Sequence, residues 1–206
     1  MPRTISPAKA VRHTLIEVCI LAGGQSARMG RDKARLRLGG RTLLGHARTV
    51  AGALGLPTRV IRRDLVPRCG PLGGIFTGLV TTQASAVLFL SCDMPFVTPG
   101  LLKRVIQAAK PKSKKPIAVF TTSAEGAGFP FLIRREALPR VERQIQEGEL
   151  SVQTLARVLR AKRLRLPSSE AADITNLNTP LEMAAAKRLV ALRTAFAAFQ
   201  SRKFVM

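Results

Sequence analysis

Short apolar runs alternate along the chain with longer segments of helical periodicity. The spacing predicts helices over residues 42–54, 75–80, 98–109, 135–146, 151–159 and 180–199. The apolar runs predict strands over residues 17–22, 58–61, 85–90, 117–121 and 128–133, and an edge strand over 163–166. Strands that alternate with helices predict an α/β fold with a mostly parallel sheet, whose ligands bind at the carboxyl ends of the strands.

The first 15 residues differ from the rest, because they hold three basic residues, two prolines and little periodicity. This composition predicts a flexible basic arm over residues 1–15. The remainder is long enough for one hydrophobic core but short for two. We therefore expect a single domain over residues 16–200.

The chain is strongly basic. Lys and Arg number 34 and Asp and Glu number 12, which gives a formal net charge of +22. A hydrophobic content of 46% excludes a disordered basic chain. The bases are spread over the whole sequence, and Tyr and Trp are absent, which argues against a dedicated nucleic-acid module. A solvated basic surface accounts for most of these side chains.

The cysteine spacing and the length of the apolar runs indicate where in the cell the protein is expected. Three cysteines form no close pair, which argues against a secreted disulfide framework. No apolar run approaches the roughly 20 residues that a membrane-spanning helix needs, and the N-terminus lacks a signal-peptide pattern. We expect a cytoplasmic protein without a membrane partner.

The unusual loops all follow predicted strands, over residues 21–33, 64–74, 91–96 and 176–180. We expect these four segments to meet at the carboxyl edge of the sheet. In the first, glycines precede Arg28 and Lys33, two cations suited to phosphate oxygens. It matches neither the Walker loop nor the dinucleotide fingerprint. Only four Asp occur in the chain, and three of them lie in such motifs: Asp32, Asp64 and Asp93.

One of these loops carries a specific resemblance. Residues 21–33, LAGGQSARMGRDK, resemble the signature LAGGxSxRMGxDK of the MobA-like nucleotidyltransferases, the family of the molybdenum cofactor guanylyltransferases. The later pieces GPLGG at 70–74, LSCDMP at 90–95 and NLNTP at 176–180 follow in the same order. The resemblance covers roughly residues 17–190. It implies a three-layer α/β/α Rossmann-like nucleotidyltransferase fold.

The resemblance also implies an activity. Members transfer a nucleoside monophosphate from an NTP to an acceptor phosphate in a Mg²⁺-dependent reaction that releases pyrophosphate. For the guanylyl branch, GTP and molybdopterin are the substrates, and the product is the guanine dinucleotide cofactor. Proteins of molybdenum cofactor biosynthesis, or proteins that accept the cofactor, would then be partners.

Site residues follow from the same motifs. The resemblance assigns catalytic roles to Arg28, Lys33 and Asp93, metal binding to Asp93 and Asn178, and acceptor binding to Asn176 and Asn178. It assigns nucleotide binding to Leu21, Ala22, Gly23, Gly24, Lys33, Asp64, Gly70, Pro71, Leu72 and Asp93. Because the acceptor supplies its own phosphate nucleophile, no Ser–His or Cys–His pair is needed.

Simpler interpretations stay open for several of these residues. Asp32 also fits a helix cap or an arginine ion pair, and Asp64 fits a surface ion pair. Asn176 and Asn178 also fit turn and cap geometry. The remaining polar candidates are predicted to be surface or packing residues: Asp173, His13 and His46, with Cys92 as a buried apolar residue.

Two departures from the family pattern bear on specificity. Only residues 56–68 separate the first long helix from the GPLGG motif, so one family strand and its nucleotide-contacting Asn are missing. Phe129-Pro130 stands where the family often has His-Pro or Gln-Pro. The alternatives are therefore a related transferase with another base or acceptor, such as a cytidylyltransferase, and a non-catalytic basic module that binds phosphate or nucleic acid.

Overall fold

The computed structural model describes residues 15–23, 32–110 and 115–203, with side chains up to residue 195. Most of the predicted basic arm lies outside these residues. Eight strands are present in the described part: β1 (Ile16–Leu21), β2 (Arg37–Leu38), β3 (Arg41–Thr42), β4 (Thr58–Ile61), β5 (Ala86–Ser91), β6 (Ala118–Ser123), β7 (Gly126–Arg134) and β8 (Lys162–Arg165). The α-helices there are α1 (Leu43–Gly52), α2 (Gly70–Thr81), α3 (Pro99–Ala108), α4 (Leu138–Gln146), α5 (Val152–Val158) and α6 (Pro180–Lys203).

Six of the strands form one sheet in the order β4-β1-β5-β7-β6-β8. Strands β4, β1 and β5 pair in parallel, and so do β6 and β8. Only β7 runs antiparallel to both of its neighbours in this sheet. The predicted mostly parallel α/β sheet is confirmed, and the carboxyl ends of β1, β4, β5, β6 and β8 share one edge.

Two apolar cores cover the two faces of the sheet, because successive strand residues point to opposite faces. In β5, Leu88 and Leu90 join the core that includes α1 and α3, whereas Val87 and Phe89 join the core that includes α2, α4 and α5. All four side chains are nearly or completely buried. The result is the expected three-layer α/β/α arrangement.

A third, smaller cluster seats the start of α6. Leu177 is 1% exposed and packs with Leu38 of β2, Leu43 of α1, and Met183 and Ala186 of α6. The β2–β3 hairpin, which periodicity did not predict, supplies part of this cluster. The cluster thereby fixes the polar loop before α6 to the body of the domain.

The predicted loop over residues 64–74 and the predicted helix start at residue 75 were wrong for the glycine-rich residues 70–74. Helix α2 begins at Gly70, so these glycines lie in its first turns. A Cβ at Gly74 would lie 3.1 Å from Cδ2 of Leu21, which explains why a residue without a side chain stands inside a helix here. None of the described helices is long and apolar enough to cross a membrane.

Candidate functional site

A cleft of about 320 Å³ opens at the carboxyl edge of the sheet. It lies over the ends of β1, β4 and β5, and the first turns of α2 and the start of β7 form its walls. Its lining includes eight residues predicted from the motifs: Leu21, Ala22, Gly23, Lys33, Asp64, Gly70, Pro71 and Asp93. The predicted convergence of the loops at this edge is confirmed for the segments that carry these residues.

The floor of the cleft depends on close approach of β1 and β4. The backbone N–H of Ala22 donates to the carbonyl oxygen of Ile61 at 2.8 Å. A Cβ at Gly23 would lie 2.7 Å from the carbonyl oxygen of Arg62, closer than such atoms come. Glycine is therefore required at position 23 for the two strand ends to stay together.

Three polar side chains from three separate motifs meet beside the end of β5. The ammonium of Lys33 donates to Oδ1 of Asn178 at 2.8 Å and lies 3.6 Å from Oδ2 of Asp93. The other oxygen of Asp93 accepts a hydrogen bond from the Ser91 hydroxyl at 2.5 Å. The side chains of Lys33 and Asp93 are only 19% and 15% exposed, so solvent screens this ion pair weakly.

Asn178 is held in place by the start of α6. The N–H of Leu177 donates to the carbonyl oxygen of Asp93 at 2.9 Å, which joins the two loops through their backbones. Oε2 of Glu182 accepts hydrogen bonds from the N–H groups of Asn178 at 2.6 Å and Thr179 at 2.8 Å. These two bonds to the carboxylate lower the pKa of Glu182.

The Thr179 hydroxyl in turn accepts from the N–H of Glu182 at 3.2 Å. This reciprocal pair is a capping box, formed by Thr at the helix cap and Glu three residues later. The sequence signal for it, TPLE at residues 179–182, could have identified Glu182 as a residue that positions the site. Glu182 was not among the predicted residues.

Asp32 positions Lys33 and makes both of the simpler contacts that were left open for it. Its carboxylate accepts from the N–H of Ala34 at 3.0 Å and caps the short 3₁₀ turn Lys33–Arg35. It also lies 3.4 Å from Nε of Arg35, in an ion pair that is largely exposed. Asp32 therefore orients the turn that carries Lys33.

Asp64 lies on the other wall of the cleft, in the loop between β4 and α2. It makes no ion pair with any described residue, so the surface ion-pair interpretation has no support in this part of the chain. Its carboxylate packs against the first turns of α2, close to Gly73 and Gly74. Partial burial raises the pKa of Asp64 above its ordinary value.

Two of the predicted site residues, Leu72 and Asn176, do not join this cluster. The Leu72 side chain is completely buried in the core and does not line the cleft, so only its backbone is available to a ligand. Asn176 is exposed and makes no side-chain hydrogen bond to a described residue. Arg28 and Gly24 lie outside the described residues.

The cleft also includes residues that were not predicted as functional: Asp32, Ala34, Ile61, Gly74, Ser91, Cys92 and Phe129. Cys92 is 7% exposed, which confirms it as a buried residue, and burial raises the pKa of its thiol to about 12. It is therefore not a thiolate nucleophile. His46 bonds through Nε2 to the carbonyl oxygen of Leu38 at 2.9 Å and is a packing residue, as predicted.

A family model described as the MobA-like NTP transferase domain matches residues 18–62 and 48–166 of the chain. A relative from Opitutus terrae, described as a probable molybdenum cofactor guanylyltransferase, is 31% identical over 183 residues; the match covers 78% of this chain and 89% of the relative. A molybdenum cofactor guanylyltransferase from Vibrio cholerae is 30% identical over 182 residues, with coverage of 80% and 88%.

Solved structures agree in fold. The molybdopterin-guanine dinucleotide biosynthesis protein A of Archaeoglobus fulgidus superposes with a TM-score of 0.64 at 19% identity, covering 85% of this chain and 98% of that one. A nucleotidyl transferase from Methanothermobacter gives a TM-score of 0.66 at 19% identity, with coverage of 87% and 99%.

Proposed function

The chain belongs to the family of MobA-like NTP transferases, and from this premise we propose that it transfers GMP from GTP to the phosphate of molybdopterin. The products are the guanine dinucleotide cofactor and pyrophosphate. The relatives named as guanylyltransferases support the choice of base and acceptor. We further propose that residues 16–200 act as one catalytic domain in the cytoplasm and pass the product to proteins that use the cofactor.

The observation that carries the proposal is the meeting of Lys33, Asp93 and Asn178 at one point of the cleft. These residues come from three motifs and lie far apart in sequence. A cation and two oxygen ligands at a strand-end cleft suit a triphosphate and a divalent cation. A passive basic surface would not require the Asp93 carboxylate, whose side chain is only 15% exposed. This arrangement supports an enzyme rather than a non-catalytic phosphate-binding module.

The donor set fits Mg²⁺. Oδ2 of Asp93 and Oδ1 of Asn178 both face the same ammonium group, so the two oxygens already point to one cationic position. Within the described ranges no group of three His, Cys, Asp or Glu side chains lies close enough to hold a metal alone. Mg²⁺ commonly takes one or two protein oxygens and completes its shell with substrate phosphates and water. Bound there, it would neutralise charge on the triphosphate.

The reaction then needs positioning more than covalent chemistry from the protein. A phosphate oxygen of the acceptor attacks the α-phosphorus of GTP, the new P–O bond forms, and the bond to the β-phosphate oxygen breaks. Lys33 stabilises the negative charge that builds up on the phosphate oxygens. Arg28 is proposed as a second cation for the triphosphate. The acceptor phosphate is already ionised at neutral pH, so no side chain has to remove a proton.

Base selection is proposed to involve Asp64. The adjacent N–H donors on the Watson–Crick edge of guanine suit a carboxylate acceptor, whereas cytosine offers no such pair. Gly70 and Pro71, at the start of α2, lie on the same side of the cleft and would contact the nucleotide with Leu21, Ala22 and Gly23. Asn176 is proposed to reach the acceptor only in the complex, since its side chain is exposed here.

A nucleotide titration tests the proposal. The purified full chain is titrated with GTP, CTP, ATP and UTP in the presence of Mg²⁺ and monitored by thermal shift, and GMP transfer to molybdopterin is then measured with α-labelled GTP. We expect a preference for GTP and a labelled dinucleotide product. A preference for CTP would replace the proposed guanylyltransferase activity with a cytidylyltransferase activity. A lack of response to all four nucleotides would contradict the proposal that the protein is a nucleotidyltransferase.

Asp93→Asn provides the matched test of the site, with Asp173→Asn as its control outside the cleft. The first variant should lose at least a hundredfold in kcat and keep the fold, because Asp93 is proposed to hold the Mg²⁺ that would neutralise charge in the transition state, and losing one such electrostatic contribution costs about that much. The control should keep wild-type rates. Full activity of Asp93→Asn would contradict the proposed role of the carboxylate.

A further inference from the structure

An aromatic residue forms part of the wall of the same cleft that contains Lys33 and Asp93. Phe129 lines the cleft and is half-buried, so part of this residue is accessible from the opening. It is the only aromatic residue among the described lining residues, in a chain without Tyr or Trp. A polar nucleotide site does not need a Phe there, and none of the contacts assigned above uses it.

The orientation of the ring is fixed by packing behind it. The centroids of Phe129 and Phe131 are 4.5 Å apart, and Phe131 stacks on Phe120 with centroids 4.4 Å apart. Phe131 and Phe120 are completely buried. Phe129 is therefore the cleft end of an aromatic row that continues into the core. This packing restricts the ring before a ligand binds, which lowers the cost of ordering it on binding.

The strand order separates this ring from the nucleotide side. Asp64 follows β4 and Gly23 follows β1, whereas Asp93 follows β5 and Phe129 lies on β7. In the order β4-β1-β5-β7, the end of β5 lies between the two groups. In a displacement at the α-phosphorus, the acceptor phosphate enters opposite the departing pyrophosphate, while the nucleoside stays bonded and occupies the β4–β1 side. The body of the acceptor therefore needs the part of the cleft that the nucleoside leaves open, and this part includes the β7 side.

We propose that Phe129 is the stacking platform for the planar fused ring of the acceptor and a determinant of acceptor specificity. This inference rests on the proposed function, in which the acceptor is a pterin that carries a phosphate. The pterin lies against the exposed side of the Phe129 ring, and its phosphate reaches the position beside Asp93. Stacking of a heterocycle on an aromatic side chain contributes roughly fivefold to a hundredfold in affinity.

Kinetics with both substrates test the assignment. Phe129→Leu keeps an apolar side chain of similar length and removes the aromatic face, whereas Phe129→Tyr keeps that face. We expect Phe129→Leu to raise the KM for molybdopterin roughly tenfold while the KM for GTP stays unchanged, and Phe129→Tyr to stay near wild type. Phe76→Leu, at a half-buried Phe of α2 outside the cleft lining, controls for the loss of packing.

A binding measurement tests pterin stacking on Phe129 independently of GMP transfer. Because the chain has no Trp or Tyr, the fluorescence of free 6-hydroxymethylpterin can be followed without a protein background. Wild type and Phe129→Tyr should quench it in a saturable way, and Phe129→Leu should bind it roughly tenfold more weakly.

Each outcome decides between the two proposals. An equal rise in the KM for GTP would assign the ring to the nucleotide and overturn the inference, as would unchanged values of the acceptor KM and of pterin binding in Phe129→Leu. Wild-type protein that binds pterin through Phe129 but transfers no GMP would support the platform and contradict the proposed function. Wild-type protein that neither transfers GMP nor binds pterin would overturn both.

Discussion

A methyl group at Gly73 should disturb the cleft through the loop that carries Asp64. An ideal Cβ at this position would lie 2.8 Å from Oδ2 of Asp64, 2.9 Å from the carbonyl oxygen of Val66 and 3.1 Å from the Cβ of Asp64. The first two distances are shorter than real Cβ contacts. One of them involves backbone, so Gly73→Ala requires the loop between β4 and α2 to move away from the helix.

The expected change in stability is the sum of two opposite effects. Overpacking costs typically about 1–3 kcal/mol, and replacing Gly by Ala inside a helix returns up to about 1 kcal/mol. Gly52→Ala isolates the second effect, because position 52 is also helical and a Cβ there has no neighbour within 4 Å. We therefore expect Gly73→Ala to be less stable than Gly52→Ala by about 1–3 kcal/mol.

Urea denaturation of the two variants measures this difference, and initial rates give the KM for GTP. Displacement of Asp64 should raise that KM several-fold in Gly73→Ala and leave it unchanged in Gly52→Ala. In an Asp64→Ala background the same Gly73 substitution should cost less stability, since the contact with Oδ2 is gone and only the Val66 carbonyl and the Cβ at position 64 still oppose the methyl group. Equal stability of the two single variants, together with an unchanged KM, would refute the proposed contact.

Three further predictions concern stability. Gly78→Ala should lower the free energy of unfolding by about 1–3 kcal/mol, because its Cβ would lie 2.6 Å from the ring of Phe89; urea denaturation checks this. Glu182→Gln should be less stable than wild type at pH 7 and should weaken acceptor use through Asn178. The pKa of Glu182 is lowered from 4.5 in the folded chain, so ionised Glu182 stabilises the fold above pH 4.5. The stability difference between wild type and Glu182→Gln should therefore shrink below pH 4.5 and vanish once the pH is below the lowered pKa. The pKa of Asp64 is raised in the folded chain, so ionisation of this carboxyl opposes folding as the pH rises above 3.8. Asp64→Asn should therefore be more stable than wild type at pH 7 and equally stable below pH 3.8. Thermal melts of both proteins across this pH range check the prediction.

Periodicity predicted the fold because most elements are long enough to show it. The buried run at residues 85–90 and the capped helix after Thr98 both appear within one residue of the predicted bounds. The hairpin of β2 and β3 was missed, since strands of two residues have no detectable period. The start of α2 was misplaced because glycines that normally signal a loop serve there to bring the helix against Asp64 and Leu21.

Local sequence patterns predicted the candidate site less completely than they predicted the fold. Motifs identified Lys33, Asp93 and Asn178 one at a time, yet no local pattern says that an ammonium at position 33 contacts an amide 145 residues later. That contact depends on the burial of Leu177 and on the cap made by Glu182, both of which act through tertiary packing. The aromatic wall at Phe129 likewise depends on the position of β7 beside β5, which only the sheet order reveals.

The charge balance of the cleft connects these observations. Lys33 is bound by Asp93 and Asn178, so a cation already occupies the position that the two oxygens define. This ion pair is only partly exposed, so removing one partner without replacement is costly. If the pair separates, each partner therefore needs another group of opposite charge. A triphosphate that attracts Lys33 frees the two oxygens, and a divalent cation that takes the oxygens frees Lys33. In the proposed reaction, nucleotide and metal would therefore each favour the binding of the other, because each one releases a group that the other needs.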